Sequence, residues 1–459
     1  MKEEKIDFAT GNVSGLFRKI FFPTVLGMLS VSAVTTIDGI FVGHGVGSDG
    51  IAAVNICVPL LMILTGLGLM FGMGSSVLAS IYLSKGKPLR ARACVTQAML
   101  MTTIIPVLAI AYILRYPQDV AYLLGSSEHL LPIVLDYLLW FAPSLVFELW
   151  IVVALFAVRL DGAPQLAMWS SIVAAVVNIV LDWLFIFPFG WGVMGAALAT
   201  TISCMAGAGI VVYYLLFQAK HVRLHPLRLN ARGVKFFLHS IGEQCKIGSS
   251  ALLGEATMAV LMFVGNHVFM QYAGDDGVGA FGVSCYYLPF VFMIGNAIAQ
   301  SAQPIISYNF GCGNVGRMHA ALRVSLLTAC ICGLISGVAF IGGPKLLVGL
   351  FLPLDNAAAH IAVAGFPYYG AGFIFFILNL CFIGYYQSIE RVKPATAFAL
   401  LRGFIFLIPC FLLLPKAWSV PGIWMALPLS EVLTTLVIAG FVLRHIKSLR
   451  LAFRNDFGH

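Results

Sequence analysis

Of the 459 residues, 60% are AVILMFWYC and only 10% are charged, with a mean hydropathy of +0.96; an ordinary soluble domain carries roughly 25% charged residues. A chain this apolar has too little polar surface to face water. It is expected to be an all-α integral membrane protein, which excludes soluble enzymes and nucleic-acid-binding modules. The net charge of +8 would suggest an acidic partner, but its distribution along the chain ties it to membrane orientation.

Met1 to Asp7 form a mixed-charge head, and the apolar run from Ile20 is followed by no small-residue cleavage site, so that run is expected to be a first span and not a signal peptide. A span needs about 20 mainly apolar residues. Twelve stretches qualify: 17–43, 51–83, 93–115, 130–157, 165–188, 193–218, 243–271, 277–310, 320–342, 357–387, 394–415 and 420–444. The longest polar stretch, Gln218 to Lys246, separates the sixth from the seventh. This gives an N-terminal six-helix lobe over 1–218, a linker over 219–242 and a C-terminal six-helix lobe over 243–459. Ten cysteines are scattered singly, in no disulfide or zinc spacing.

The two halves read as copies. Gly27, Gly50, Ser80, Gly86 and Arg90 fall without a gap on Gly254, Gly277, Ser307, Gly313 and Arg317, each 227 residues on; Pro164 pairs with Pro394 and Gly195 with Gly422. Each copy has an even number of spans, so both enter from the same side. That makes a parallel repeat about an axis along the membrane normal. Lys and Arg fall on one side of the membrane at 23 of 27 positions, which places both termini in the cytoplasm. The linker, with Lys220, Arg223, Arg228, Arg232 and Lys235, either lies as an amphipathic helix on anionic lipid or is a plain solvated connection.

In a membrane chain the informative residues are the ionisable ones inside spans, because they are expensive there. Asp38, Asp136, Glu148, Asp182, Glu255 and Glu431 qualify, with Arg402 as the one cation. At 1.5 Å per residue, Asp38, Asp182 and Thr200 lie roughly 8 to 10 Å inside the outer edge, and Asp136 and Tyr137 about 9 to 11 Å. Ser171, Asn178 and Asp182 share one face of span five. Two carboxylates with an amide and a hydroxyl can coordinate a hard cation such as Na⁺, or desolvation and mutual repulsion can make one of them a proton carrier. Arg402 and Glu431 are expected to form a structural ion pair, and His267 a helix–helix hydrogen bond. Gly66, Gly68, Gly72 and Gly74 allow close helix contact in span two.

At these residues the sequence resembles the multidrug and toxic compound extrusion (MATE) family. The stretches that carry the resemblance are TTIDGIFVGHGVGSDGIAAVN (35–55), NIVLDWLFIFPFGWGVMGAALATTIS (178–203) and QPIISYNFGCGNVGR (303–317), the first two most like the DinF branch. The resemblance implies a V-shaped pair of six-helix lobes and export of organic cations by alternating access in exchange for Na⁺ or H⁺. It implies an N-lobe site of Asp38, Asn178, Asp182 and Thr200, with Tyr137 as the fourth-helix tyrosine; the same set would hold Na⁺. A second branch uses a seventh-helix glutamate, which matches Glu255, so coupling is expected in either lobe or in both.

The expected function is therefore an ion-coupled antiporter for small cationic amphiphiles in the cell (inner) membrane, monomeric, surrounded by lipid, without cofactor other than the coupling ion and without nucleic acid. The alternative is a flippase for a lipid-linked saccharide, which would favour cations in its cavity. A membrane enzyme is not expected, since no H-E-x-x-H or G-x-S-x-G occurs.

Overall fold

The computed structural model describes residues 7–227 and 231–456, the side chains at 48, 231, 232, 275 and 445–456 apart. Every regular element among the described residues is a helix. The membrane helices are α1 (Val13–Gly45), α2 (Ser48–Ser84), α3 (Pro88–Arg115), α4 (Leu131–Phe141 continued by Ser144–Leu160 after a 48° bend), α5 (Pro164–Ile186) and α6 (Gly192–Tyr213). They continue with α7 (Gly233–Gly274), α8 (Asp276–Gly311), α9 (Val315–Gly342), α10 (Ala357–Ser388) and the run Val392–Arg444. That last run has 53 residues, about 80 Å of helix against a hydrocarbon core of ~30 Å. It breaks at Ser419, whose φ is 51°, into α11 (392–418) and α12 (420–444). Twelve crossings result, in two sets of six.

The backbone carries the repeat more plainly than the side chains do. Positive φ occurs at Gly47, Gly86 and Gly192, and again 227 residues later at Gly274, Gly313 and Ser419. Two short helices, Pro117–Leu123 and Pro344–Gly349, sit between the third and fourth crossing of each set, and their prolines are also 227 apart. Turns and breaks that need a left-handed residue are thus conserved between the copies even where the residue is not glycine.

By packing, the chain divides into two compact units. The first comprises Met1–Ala259, Ala297–Val324 and Tyr385–Val392. Within it α5 packs against α1 and α6, and α2 against α3 and α4. The ends of α7 and α8 that lie on the side of the described N-terminus also belong to this unit. There Ser76 donates to Gln303 Oε1 at 2.9 Å, and Ser84 faces Gly311. Both pairs are 227 residues apart, the repeat shift itself, so α2 and its counterpart α8 meet at equivalent positions. The second unit comprises Val260–Asn296, Ser325–Gly384 and Lys393–His459. Its core is aromatic: Phe269 stacks on Phe281 at 5.0 Å and meets Trp424 edge-on at 4.9 Å.

The glycines of α2 serve two neighbours. Gly66 and Gly74 approach α7 at Leu252 and at the Gln244 backbone, while Gly68 and Gly72 approach α4 at Val152 and Phe156. The connection after α6 is not a free linker. Asp161 accepts from the Tyr214 hydroxyl at 2.7 Å and from the backbone N–H groups of Lys220, His221 and Val222, and Arg92 donates to the Lys220 and His221 carbonyls. From Ala231 the chain is already helical and runs on into α7.

Gly248 faces the backbone carbonyl of Met70 so closely that no Cβ fits, whereas Gly242, on the same helix, has nothing within 4 Å. Gly248→Ala is therefore expected to destabilise the purified protein by about 1–3 kcal/mol through overpacking. Gly242→Ala should raise stability by up to about 1 kcal/mol through helix propensity. Paired thermal melts in detergent check both signs.

Candidate functional site

On α5 the residues Ser171, Asn178 and Asp182 face inward, and Val176, Val180 and Trp183 face outward. The 3.6-residue period thus turns one polar stripe toward α1 and α6 and leaves an apolar face for lipid. Asp182 is 0% exposed and Asn178 3%. Against this stripe α1 brings Asp38, whose carboxyl lies within hydrogen-bond reach of that of Asp182. From α6, the Thr200 hydroxyl is 3.5 Å from Asn178 Nδ2 and donates to its own Ala196 carbonyl at 3.0 Å. Tyr137 of α4, 4% exposed, stands close enough to feel the charge of both aspartates. The five residues Asp38, Tyr137, Asn178, Asp182 and Thr200 thus come together, from four helices of the first unit.

What distinguishes the cluster is a deficit of donors. Asp38 Oδ1, Asn178 Oδ1 and both carboxyl oxygens of Asp182 are buried and accept no hydrogen bond from any described residue. Buried acceptors left in this way cost several kcal/mol together, and two adjacent carboxylates in a low-dielectric setting add mutual repulsion. A hard cation or a proton would relieve both penalties at once: oxygen donors suit Na⁺, and a proton shared between the carboxyls turns one of them into a donor.

The other membrane carboxylates differ in surroundings. Asp136 is exposed; the depth estimate had grouped it with Tyr137, but neighbours on a helix point about 100° apart, so Tyr137 enters the cluster and Asp136 faces away. Glu148 accepts from Cys204 Sγ of α6 at 3.5 Å. Glu255 of α7 packs beside Gly66 of α2, where a Cβ would lie 3.6 Å from its own. His267 is exposed and forms no hydrogen bond among the described residues, contrary to the helix–helix bond expected for it.

Arg402 and Glu431 form a bidentate pair, Nη2 to Oε1 at 2.7 Å and Nε to Oε1 at 3.0 Å, each 1% exposed. Asn379 donates to Glu431 Oε2 at 2.7 Å, and Thr435 donates to Asn379 Oδ1 at 2.8 Å. The guanidinium also lies 4.4 Å over the Phe376 ring. Sequence reasoning missed a second buried cation. Arg159, counted with the loops, is buried at the end of α4 and donates from Nη1 to Gln300 Oε1 at 2.7 Å. Its place before the Asp161–Gly162 turn was legible; its burial depends on α8, distant in sequence.

Comparison with known proteins follows this geometry. The MatE family model matches twice, over residues 23–184 and 251–412. Multidrug export protein MepA of Staphylococcus aureus is 25% identical over 438 residues, 95% of each chain, and that of Staphylococcus saprophyticus is 26% identical over 447 residues, again 95% of each. Among solved structures, the Vibrio cholerae MATE transporter VcmN superposes with a TM-score of 0.86 at 19% identity, over 95% of this chain and 97% of that one. A MOP superfamily transporter from Pyrococcus furiosus gives 0.87 at 18%, over 98% and 100%.

The two kinds of buried carboxylate should respond oppositely to neutralisation. Glu431→Ala strands the Arg402 charge and is expected to cost about 3–5 kcal/mol, read as loss of folded protein in size-exclusion profiles. Asp182→Asn removes repulsion and should leave yield and melting temperature equal to or above those of the parent. A stable Glu431→Ala protein together with an unstable Asp182→Asn protein would invert the assignment.

Proposed function

Because the chain belongs to the MatE family, whose members are transporters and not enzymes, we propose that it is an ion-coupled antiporter exporting lipophilic organic cations by alternating access. The observation that carries this reading is the donor-poor pair Asp38–Asp182 with Asn178, Thr200 and Tyr137 around it. Such a pair binds H⁺ or Na⁺ on the side where the ion is abundant and gives it up where it is scarce. The two MepA relatives, whose names record multidrug export, support drug-like cargo. Two repeats related by an axis along the membrane normal suit rocking about a central site.

Cargo selection follows from charge. Among the described residues, Asp38, Glu148, Asp182 and Glu255 have no arginine or lysine partner, whereas the two buried arginines have partners, Arg402 in Glu431 and Arg159 in the neutral Gln300. Negative charge in a low-dielectric setting attracts cations, and the aromatic side chains offer faces for flat ones. In this reading Glu255 supplies attraction or a second coupling group from the second repeat. The flippase alternative needs cations free to meet a pyrophosphate; Glu431 neutralises Arg402, which leaves Arg159, bonded to the neutral Gln300, against four carboxylates. The lobes would be 1–218 and 243–459, in the cell membrane of a bacterium, both termini cytoplasmic.

Dye efflux from proteoliposomes under an Na⁺ or an H⁺ gradient, each imposed alone, tests the reading. Asp38→Asn and Asp182→Asn are each expected to abolish gradient-driven export of an ethidium-like dye, because the amide neither exchanges a proton nor supplies charge to a cation. Glu255→Gln is expected to reduce cation export. Anionic lipophiles of similar size should not move. Full transport by both aspartate variants at normal expression, or equal transport of anions, would overturn the proposal. Reporters fused at His459 and in the 219–242 segment should both report the cytoplasm.

A further inference from the structure

Ahead of α1, residues 7–11 fold into a tight turn that is gripped from the other repeat. Asp7 accepts from the Thr10 hydroxyl and from the Ala9 N–H at 2.8 Å, and the Gly11 N–H donates back to the Asp7 carbonyl at 3.2 Å. The Thr10 hydroxyl chiefly, then the Ala9 N–H, hold the Asp7 carboxyl below its usual range. Onto this turn Arg317, at the start of α9, donates from Nη2 to the carbonyls of Phe8 at 3.0 Å and Gly11 at 2.7 Å. Asn309 of α8 donates to the same Phe8 carbonyl at 3.0 Å and accepts from Arg317 Nε at 3.1 Å. The Phe8 ring is buried beside Tyr308, 6.0 Å between centroids.

The opposite half of the axis repeats the arrangement. Arg90, the counterpart of Arg317 at the 227-residue shift, lies 5.9 Å over the rings of both Tyr82 and Phe236. Phe236 lies in the first turn of α7 and Phe8 just ahead of α1, one residue from the position the shift assigns to it. Each repeat therefore brings a residue from the start of its chain, ahead of α1 in one and in the first turn of α7 in the other, against the arginine that follows the turn between the second and third helices of the other. All of these residues lie in the first unit, around the α2–α8 contact at Ser76–Gln303 and Ser84–Gly311.

We propose that these reciprocal clasps are a latch holding α2 against α8, with the hydrogen-bonded Phe8–Gly11 grip on Arg317 as its stronger half and the Arg90 stack on Phe236 as its weaker. The proposal rests on the alternating-access reading for its purpose: if the face bearing the termini opens during transport, α2 and α8 separate there and both clasps must let go. Arg317 is thus a positioning residue that touches neither ion nor cargo. Its three acceptors are main-chain or amide oxygens that need no particular side chain at position 8, whereas the geometry demands a planar, forked donor at 317.

The test reads the α2–α8 contact directly. A cysteine at Ser80, fully buried against the Pro304 carbonyl at 3.4 Å, is labelled with a maleimide in the full-length protein in nanodiscs, and the rate is followed at that peptide by mass spectrometry. Arg317→Ala, and separately a chain with its first eleven residues removed (which leaves the Asn12 cap of α1 in place), should each speed labelling about tenfold, the worth of one charge-assisted hydrogen bond. The two changes combined should add little, because they cut the same contact, and Arg317→Lys should fall between. Acceleration by Arg317→Ala alone would make Arg317 a local brace of the α8–α9 turn and overturn the latch, as would no acceleration in either variant. The assay uses no gradient and no cargo. Faster labelling in a protein that moves no dye would keep the latch and sink the exporter reading; dye export with unchanged labelling would do the reverse.

Discussion

Two carboxyl groups, Asp38 and Asp182, meet inside a helix bundle with no donor to receive them. Like charges at contact distance in a low dielectric repel strongly. A proton or a cation between them would relieve both the repulsion and the missing hydrogen bonds. A protein that merely needed to hold α1 to α5 would have used a donor on one side, as it does where Arg402 and Asn379 receive Glu431. The two buried acidic sites thus differ in kind, one poor in donors and one saturated with them, and the proposal of ion exchange at the first rests on that contrast.

The repeat sharpens that contrast. At the 227-residue shift the counterpart of Asp38 is Gly265, and the Phe281 ring occupies the space where a side chain there would go. Thr200 corresponds to Leu427, and α11 (392–418) contains no carboxylate. The second copy has thus kept the backbone plan, down to the positive φ of Ser419 in place of Gly192, and filled the acidic position with aromatic packing. Duplicated scaffolds have room for this, because helix breaks and turns set the fold while buried side chains set the chemistry. Where the two copies touch, at Ser76–Gln303 and Ser84–Gly311, position meets equivalent position although the residues differ.

Much of the fold was legible in the sequence, because bilayer thickness imposes its own length on every crossing and the repeat fixes which breaks are real. The break at Ser419 falls between the spans read at 394–415 and 420–444, although the helix signal runs on from Val392 to Arg444. The acidic cluster was legible through helix rise, which brought Asp38, Asp182 and Thr200 to one depth. Rise carries no rotation, and so Asp136 was grouped with Tyr137 although only the tyrosine turns inward. What sequence could not supply were partners distant along the chain. Arg159 reads as a loop charge until Gln300 is seen beside it, and Phe8 reads as tail until Arg317 closes on it.

The central proposal, that the Asp38–Asp182 pair binds and releases the coupling ion, is tested most directly by difference infrared spectroscopy of the purified protein as pH is lowered or Na⁺ is added. Protonation or cation binding at the pair should change a carboxyl-stretch band, and that change should vanish in both Asp182→Asn and Asp38→Asn while signals from other carboxyls persist. Spectra of the parent and the two variants that respond identically to acid and to Na⁺ would contradict it.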